Sequence, residues 1–321
     1  MEILSALKAL DRAQGPLAGW KEAFMSQLRG EVRVGEPMKN HTSIKIGGKA
    51  DLLIIPEDLA DLKTALGLIK AYQVSWMVVG LGSNLLVRDG GIRGVVFKLT
   101  RALNYFELVE ETSEAMWVKV GAGFPLPKVV EFAKNKGLKG LEYLYGIPGN
   151  MGGSLKMNAG TTKGEIKNIV DTITFLSEEG ECFTQRADQL KFEYRHLKTP
   201  PHALILEAKL RLMKGDVSEI TERLGDYRKY RHETQPLDSP NCGSVFKNPP
   251  KQHAARLIEE AGLKDVRVGG ARISPKHGNF IVNEGNATAS DVLALIALIK
   301  DKVREIFDVK LELEVKIVGE E

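Results

Sequence analysis

The stretch Val79-Gly80-Leu81-Gly82-Ser83-Asn84 decides the fold. It lies between two strand candidates, Trp76–Val79 and Leu85–Val87, with a further strand at Asp51–Ile55 and a helix at Leu59–Tyr72 ahead of them. A Rossmann dinucleotide site needs G-x-G-x-x-G running from a strand into a helix. Here the third glycine is absent, a strand follows, and Asp89-Gly90-Gly91 soon breaks the chain. Dinucleotide binding on a helix N-terminus is therefore disfavoured. Two readings stay open: a nest of main-chain N–H groups around a diphosphate, with Ser83 and Asn84 as extra donors, or a plain strand-connecting turn.

Working outward, residues 1–35 carry helical apolar spacing (Ile3, Leu4, Leu7, Leu10; Trp20, Phe24, Met25, Leu28) and read as an amino-terminal helical arm packed on the body. Residues 36–100 form one unit and 101–213 a second, strand-rich one, with strands at Ala115–Val120, Asp171–Leu176 and Ala203–Leu212 and a helix at Lys128–Lys136. Residues 214–310 are mostly helical, at 217–231, 252–261 and 289–307, the last with Thr288 and Asp291 as a capping signature; Asn279–Asn283 is a short strand between them. Residues 311–321 close the chain with an alternating strand, Leu311–Val318, that carries Glu314. The fold class is α+β in several lobes.

With 321 residues, several domains are expected, and 43% hydrophobic with 27% charged residues is globular. A net charge of +3 without a dense basic run argues against nucleic acid and suits small anionic ligands. Cys182 and Cys242 make neither a disulfide framework nor a metal site, and the six histidines lack ligand spacing, so no metal is expected. No signal-type core and no run of about 20 apolar residues is present, so a cytoplasmic protein without a membrane partner is expected.

Four segments bear on chemistry. Asn241-Cys242-Gly243-Ser244-Val245-Phe246-Lys247-Asn248 sets one hydroxyl in a glycine-bounded turn next to a cation and an amide. In isolation Ser244 also reads as a turn residue. The run 146–160 holds Gly146, Gly149, Gly152, Gly153 and Gly160, a density that excludes a regular helix and lets main chain lie against a flat ring or a diphosphate. Arg195 suits a carboxylate or a developing enolate, but taken alone is an ordinary surface arginine; Glu314 alone is an exposed strand carboxylate.

Taken in order, Asn40–Asp51, Gly80–Asp89, Gly146–Gly149, Met157–Gly160, Glu193–Arg195, Gln235–Pro249, Lys276–Asn283 and Leu313–Gly319 resemble the UDP-N-acetylenolpyruvoylglucosamine reductase family, in its shorter type without the substrate-covering insertion. The likeness spans roughly 36–319. It implies a vanillyl-alcohol-oxidase-type flavin fold, with 36–100 and 101–213 as its two FAD-binding subdomains and 214–310 as a substrate lobe. It also implies non-covalent FAD, NADPH as hydride donor and a UDP-sugar as substrate; a monomer is expected. The family's active-site residues fall on Arg195, Ser244 and Glu314. Its flavin contacts fall on Ile46, Gly47 and Gly48, on Gly80, Leu81, Gly82, Ser83, Asn84 and Leu85, and on Gly146, Ile147, Pro148, Gly149, Gly152, Gly153, Asn158 and Gly160. Arg231, Lys247, Asn248, Lys276 and His277 are candidate anchors for the substrate, with a partly buried turn histidine as the alternative for His277. Two departures touch substrate contacts: Thr161-Thr162 where the family often has Ala-Tyr, and Lys316 where it usually has Arg. A flavin oxidase or dehydrogenase of the same fold acting on a sugar or alcohol is the competing enzyme reading, and a non-catalytic nucleotide-binding module the competing non-enzyme one.

Overall fold

The computed structural model describes residues 19–321. Of the amino-terminal arm, 1–18 fall outside the described residues. Its remainder forms a helix, Trp20–Gln27, with Trp20 and Phe24 buried, and then an edge strand, Glu31–Pro37. That strand pairs antiparallel with Lys49–Ile55, so the first sheet begins inside the stretch read as an arm.

The first sheet runs in the order Glu31–Pro37, Lys49–Ile55, Ile92–Phe97, Trp76–Val78. The last three are mutually parallel, with the helix Leu59–Tyr72 as crossover. Asp58 starts that helix by accepting from the Asp61 N–H at 2.9 Å, and Gln73 ends it in the left-handed region. Both faces of the sheet are covered, which is why Leu52-Leu53-Ile54 is an unbroken apolar run.

The second sheet is antiparallel, in the order Cys182–Arg186, Val170–Leu176, Leu204–Lys214, Ala115–Gly121, Phe106–Glu111. Leu52, Ile54 and Phe97 from the first sheet share one core with Val118, Val120 and Ile173 from the second. The helix Val217–Thr234 contributes Ile220 and Leu224 to that same core, so it belongs with the two-sheet body although its sequence position assigned it to the substrate lobe. The C-terminal lobe has its own core around Phe246, Ile258, Leu295 and Ile299. Its long helix, Ala289–Phe307, has the expected capping box: Thr288 Oγ1 accepts from Asp291 N at 3.1 Å, and Asp291 Oδ2 accepts from Thr288 N at 3.0 Å.

Two expectations fail locally. The glycine-dense run does contain a helix, Met151–Lys156. It forms because Met151 and Leu155 are fully buried and Gly152 packs so closely that a Cβ would come 2.9 Å from Ala122 Cβ; tertiary contact outweighs the cost of glycine in a helix. The closing strand is shorter than Leu311–Val318: only Lys316–Val318 pairs in register, parallel to Leu85–Val87. Ahead of it, the Glu314 and Val315 N–H groups both donate to Val245 O, at 2.9 and 3.3 Å, which interrupts the ladder.

Candidate active site

The loop after Val79 sits where the first sheet's parallel strands end. Gly82 has φ of 68°, and a Cβ there would overlap the His41 carbonyl oxygen, so only glycine fits. Ser83 Oγ donates to Pro148 O at 2.9 Å, which binds this loop to the glycine run 146–153. Asn84 Nδ2 donates to Glu314 O at 3.1 Å and lies 3.5 Å from Met157 Sδ. Among the described residues the main-chain N–H groups of Gly80, Leu81, Gly82 and Ser83 make no hydrogen bond.

Beside the loop, between the two sheets, opens a cleft walled by Val78–Gly80 on one side and Ala122, Asn150, Gly152 and Gly153 on the other. A Cβ on Gly153 would meet nothing within 4 Å. Unpaired N–H donors, a glycine facing open space and apolar walls suit a dinucleotide carrying a flat ring, so the residues present fit FAD.

Other flavin candidates serve packing. Ile46 is buried in the C-terminal core, while Gly47 and Gly48 bring the chain against Val87 and Asp89 O. Gly160 closes a small hairpin against Gly164. Asn158 is fully buried; its Nδ2 donates to Glu193 O at 3.0 Å and its Oδ1 accepts from Lys167 N at 3.4 Å. Its side chain thus braces the next hairpin rather than facing the cleft. Leu85 is the first residue of the strand paired with Lys316, and Leu81 is half exposed at the loop tip. Ile147 packs on the large core, Gly146 lies against Arg231, and Gly149 has φ of 149°.

That next hairpin pairs Lys191–Glu193 with His196–Lys198 and leaves Tyr194-Arg195 as its two-residue tip. Arg195 has φ of 57°, which is strained for a side chain this large. Its guanidinium lies 4.9 Å from the Tyr194 ring centroid, and its Nε donates to Glu314 Oε1 at 3.0 Å. Both side chains are mostly buried. Burial pushes the Glu314 carboxyl above the usual range, with Arg195, Lys247 and Lys316 pulling the other way.

Ser244 follows Gly243, whose φ of 75° and whose N–H to Asn241 Oδ1 (2.9 Å) make the turn. The turn is fixed on two sides. Asn279 binds Phe246 through both ends of its amide (2.9 and 2.8 Å), and Val245 O takes the Glu314 N–H. Ser244 is thereby one residue from the strand segment that presents Glu314, and its hydroxyl has no protein partner among the described residues. Arg195 and Glu314, far apart in the chain, are thus in contact, and Val245, the residue after Ser244, bonds the Glu314 main chain.

The substrate-anchor candidates divide. Arg231 is half-buried and has no acidic partner among the described residues; its Nε would lie 3.0 Å from a Cβ on Gly146, and burial lowers its pKa. Lys247 pairs loosely with Glu312 at 3.4 Å and bears on Glu314. Lys276 Nζ donates to His232 O, tying the lobe to the helix Val217–Thr234. Asn248 Oδ1 accepts from Ala254 N at 3.0 Å at the start of the helix Ala254–Glu260. His277 is a half-buried turn histidine, its Nδ1 accepting from Asn279 N at 3.2 Å and its ring edge-on to Phe280. Asn248 and His277 therefore do structural work.

Sequence reasoning missed Tyr194, which supports the guanidinium, and Asn279, which anchors the serine turn. It also missed Lys156, which lines the cleft and donates to Thr199 Oγ1 at 2.8 Å. Asn279 and Lys156 carry no local signal, because each acts through residues distant in the chain, and Tyr194 stacks on its neighbour Arg195 only in the folded hairpin tip.

Comparison with known proteins places this geometry. The family model described as "FAD binding domain" matches residues 50–185, and that described as "UDP-N-acetylenolpyruvoylglucosamine reductase, C-terminal domain" matches 235–318. UDP-N-acetylenolpyruvoylglucosamine reductase 1 of Bacillus cereus is 44% identical over 292 residues, 90% of this chain and 95% of that one. The Bacillus subtilis reductase is 43% identical over the same shares. The crystal structure of the Thermus caldophilus reductase superposes with a TM-score of 0.77 at 37% identity, covering 91% of this chain and all of that one. The chain belongs to the UDP-N-acetylenolpyruvoylglucosamine reductase family and is an FAD-dependent oxidoreductase.

Proposed function

We propose that this enzyme reduces the enolpyruvyl group of UDP-N-acetylglucosamine enolpyruvate to the lactyl ether of UDP-N-acetylmuramate, with NADPH as electron source, in the synthesis of peptidoglycan precursors. Bound FAD supplies the hydride carrier between the two substrates, which take turns in one cleft. The observation that carries the reading is the Arg195 Nε–Glu314 Oε1 contact of 3.0 Å, with Glu314 N bonded to Val245 O, one residue after Ser244.

The residues divide the work by charge. Hydride arrival at the terminal vinyl carbon leaves negative charge on the adjoining carbon and its carboxylate. Arg195, already oriented by Tyr194 and Glu314, neutralises that charge without reorganising. Glu314 helps when protonated, and burial favours that form. Ser244 delivers its proton to the carbanionic carbon; an aliphatic hydroxyl is acidic enough only against so strong a base, and Lys247 or water restores the proton. Arg231, without an acidic partner among the described residues, and Lys247 supply positive charge for the substrate's anionic groups.

Anaerobic mixing tests the reading. Purified protein should be yellow, NADPH should bleach it, and the enolpyruvyl sugar nucleotide should restore the colour. Bleaching by a sugar or alcohol, with recovery only in oxygen, would replace this activity by an oxidase.

A further inference from the structure

Lys98 stands directly beyond the strand Ile92–Phe97, whose parallel neighbour Trp76–Val78 leads into the Gly80–Asn84 loop; Val79 N donates to Phe97 O at 2.9 Å. Both segments leave the carboxyl ends of adjacent parallel strands, the position where sheets of this kind receive their ligands. The Lys98 ammonium is half-buried and lies 3.3 Å from His41 Nδ1. An ammonium only donates, so Nδ1 accepts; His41 Nε2 then carries the hydrogen and gives it to Glu36 Oε1 at 2.8 Å. The imidazole is neutral and acts as a prop for Lys98 rather than as its counter-ion.

No carboxylate lies within ion-pair distance of Lys98 among the described residues. The charges that bear on it, Arg33 and Lys45, are both positive, and together with burial they lower its pKa. Two of its N–H groups remain unassigned. The segment that holds it also holds the loop: the His41 carbonyl is what Gly82 packs against, and Ser43 N donates to Gly82 O at 3.2 Å. A cation partly withdrawn from water among other cations is unfavourable until an anion arrives. Among the described residues the N–H groups of residues 80–83 likewise have no hydrogen-bond partner.

We propose that Lys98, propped by His41 and Glu36, is a ligand of the FAD diphosphate, completing from the strand end the cradle that the Gly80–Asn84 loop begins. This rests on FAD as the resident cofactor. Lys98→Met should weaken FAD binding to the apoprotein on the order of tenfold or more, as loss of a charge-assisted contact does. Flavin fluorescence titration reads that change. The melting temperature of the Lys98→Met apoprotein should hold or rise, because an uncompensated cation has been removed. Lys98→Arg should keep most of the affinity. The affinity of the parent protein should also fall more steeply with salt than that of Lys98→Met. Unchanged FAD affinity in Lys98→Met would overturn the proposal. So would a loss matched by a lower apoprotein melting temperature and not recovered by arginine, or a defect confined to NADPH. A parent apoprotein that binds no FAD would instead defeat the cofactor reading itself.

Discussion

Two carboxylates join the C-terminal lobe to the flavin-binding body, and they are built to opposite ends. Asp89, just past the strand Leu85–Val87, caps the helix Ala289–Phe307 from outside: its oxygens accept from Ala289 N (2.8 Å), Ser290 N (3.0 Å) and Ser290 Oγ (2.8 Å). Burial alone would raise its pKa, but these donors outweigh it and hold the carboxyl below the usual range. Glu314 has a single arginine and a mostly buried setting, and there burial wins. One seam is made for cohesion and keeps its charge. The other holds a carboxyl whose pKa burial raises, against one arginine, which is useful for chemistry and poor for stability.

The contrast is sharpest at Ser244. Ser244→Ala should slow reoxidation of the flavin by the enolpyruvyl substrate ~10²–10⁴-fold while leaving reduction by NADPH and the melting temperature unchanged; stopped-flow absorbance separates the two half-reactions. Equal slowing of both would remove Ser244 from the proton step. Arg195→Lys replaces a planar fork that Tyr194 and Glu314 orient with a point charge, and a loss of roughly 10²-fold in the same half-reaction is expected.

Glu314→Gln should keep the protein yellow and cost roughly tenfold. It should also abolish the decline of the oxidative half-reaction that the parent shows as pH rises through the raised Glu314 pKa. A colourless variant would make Glu314 structural. Smallest in size is Asp89→Asn, expected to cost about 1 kcal/mol, discounted for the solvent exposure of Asp89, with activity unaltered. The two carboxylates also predict opposite pH dependences of stability. The Asp89 contribution is present above its unfolded pKa and lost as pH falls through its lowered folded value. That of Glu314 is greatest below its unfolded pKa and is lost as pH rises through its raised folded value. Thermal melts of the two variants against pH test both signs.

Much of this was legible in advance where the signal was local. The helix Leu59–Tyr72 and the helix Ala289–Phe307 have the bounds that periodicity and capping residues imply, because both are amphipathic segments closed by their own side chains. The edge strand Glu31–Pro37 was hidden, since its burial is intermediate throughout except at exposed Val34, with no alternation between faces. Helix Met151–Lys156 was misread because its glycines are tolerated by contact with Ala122, which no window of sequence contains. Among the flavin candidates, a glycine that opens a cleft and one that admits a neighbouring turn look alike until the neighbour is seen; Gly153 is the first kind, Gly48 the second.

The order of residues by itself determined the elements, the glycine loop that is not a Rossmann turn, and the set of motifs that marks the family, since each is written within a short span of chain. Only the tertiary structure decided that Arg195 meets Glu314, that Asn158 is a brace, and that Lys98 lacks an acid among the described residues. Contact, burial and the charge state that follows from them depend on which distant segments come to lie side by side, and a linear string does not contain that information.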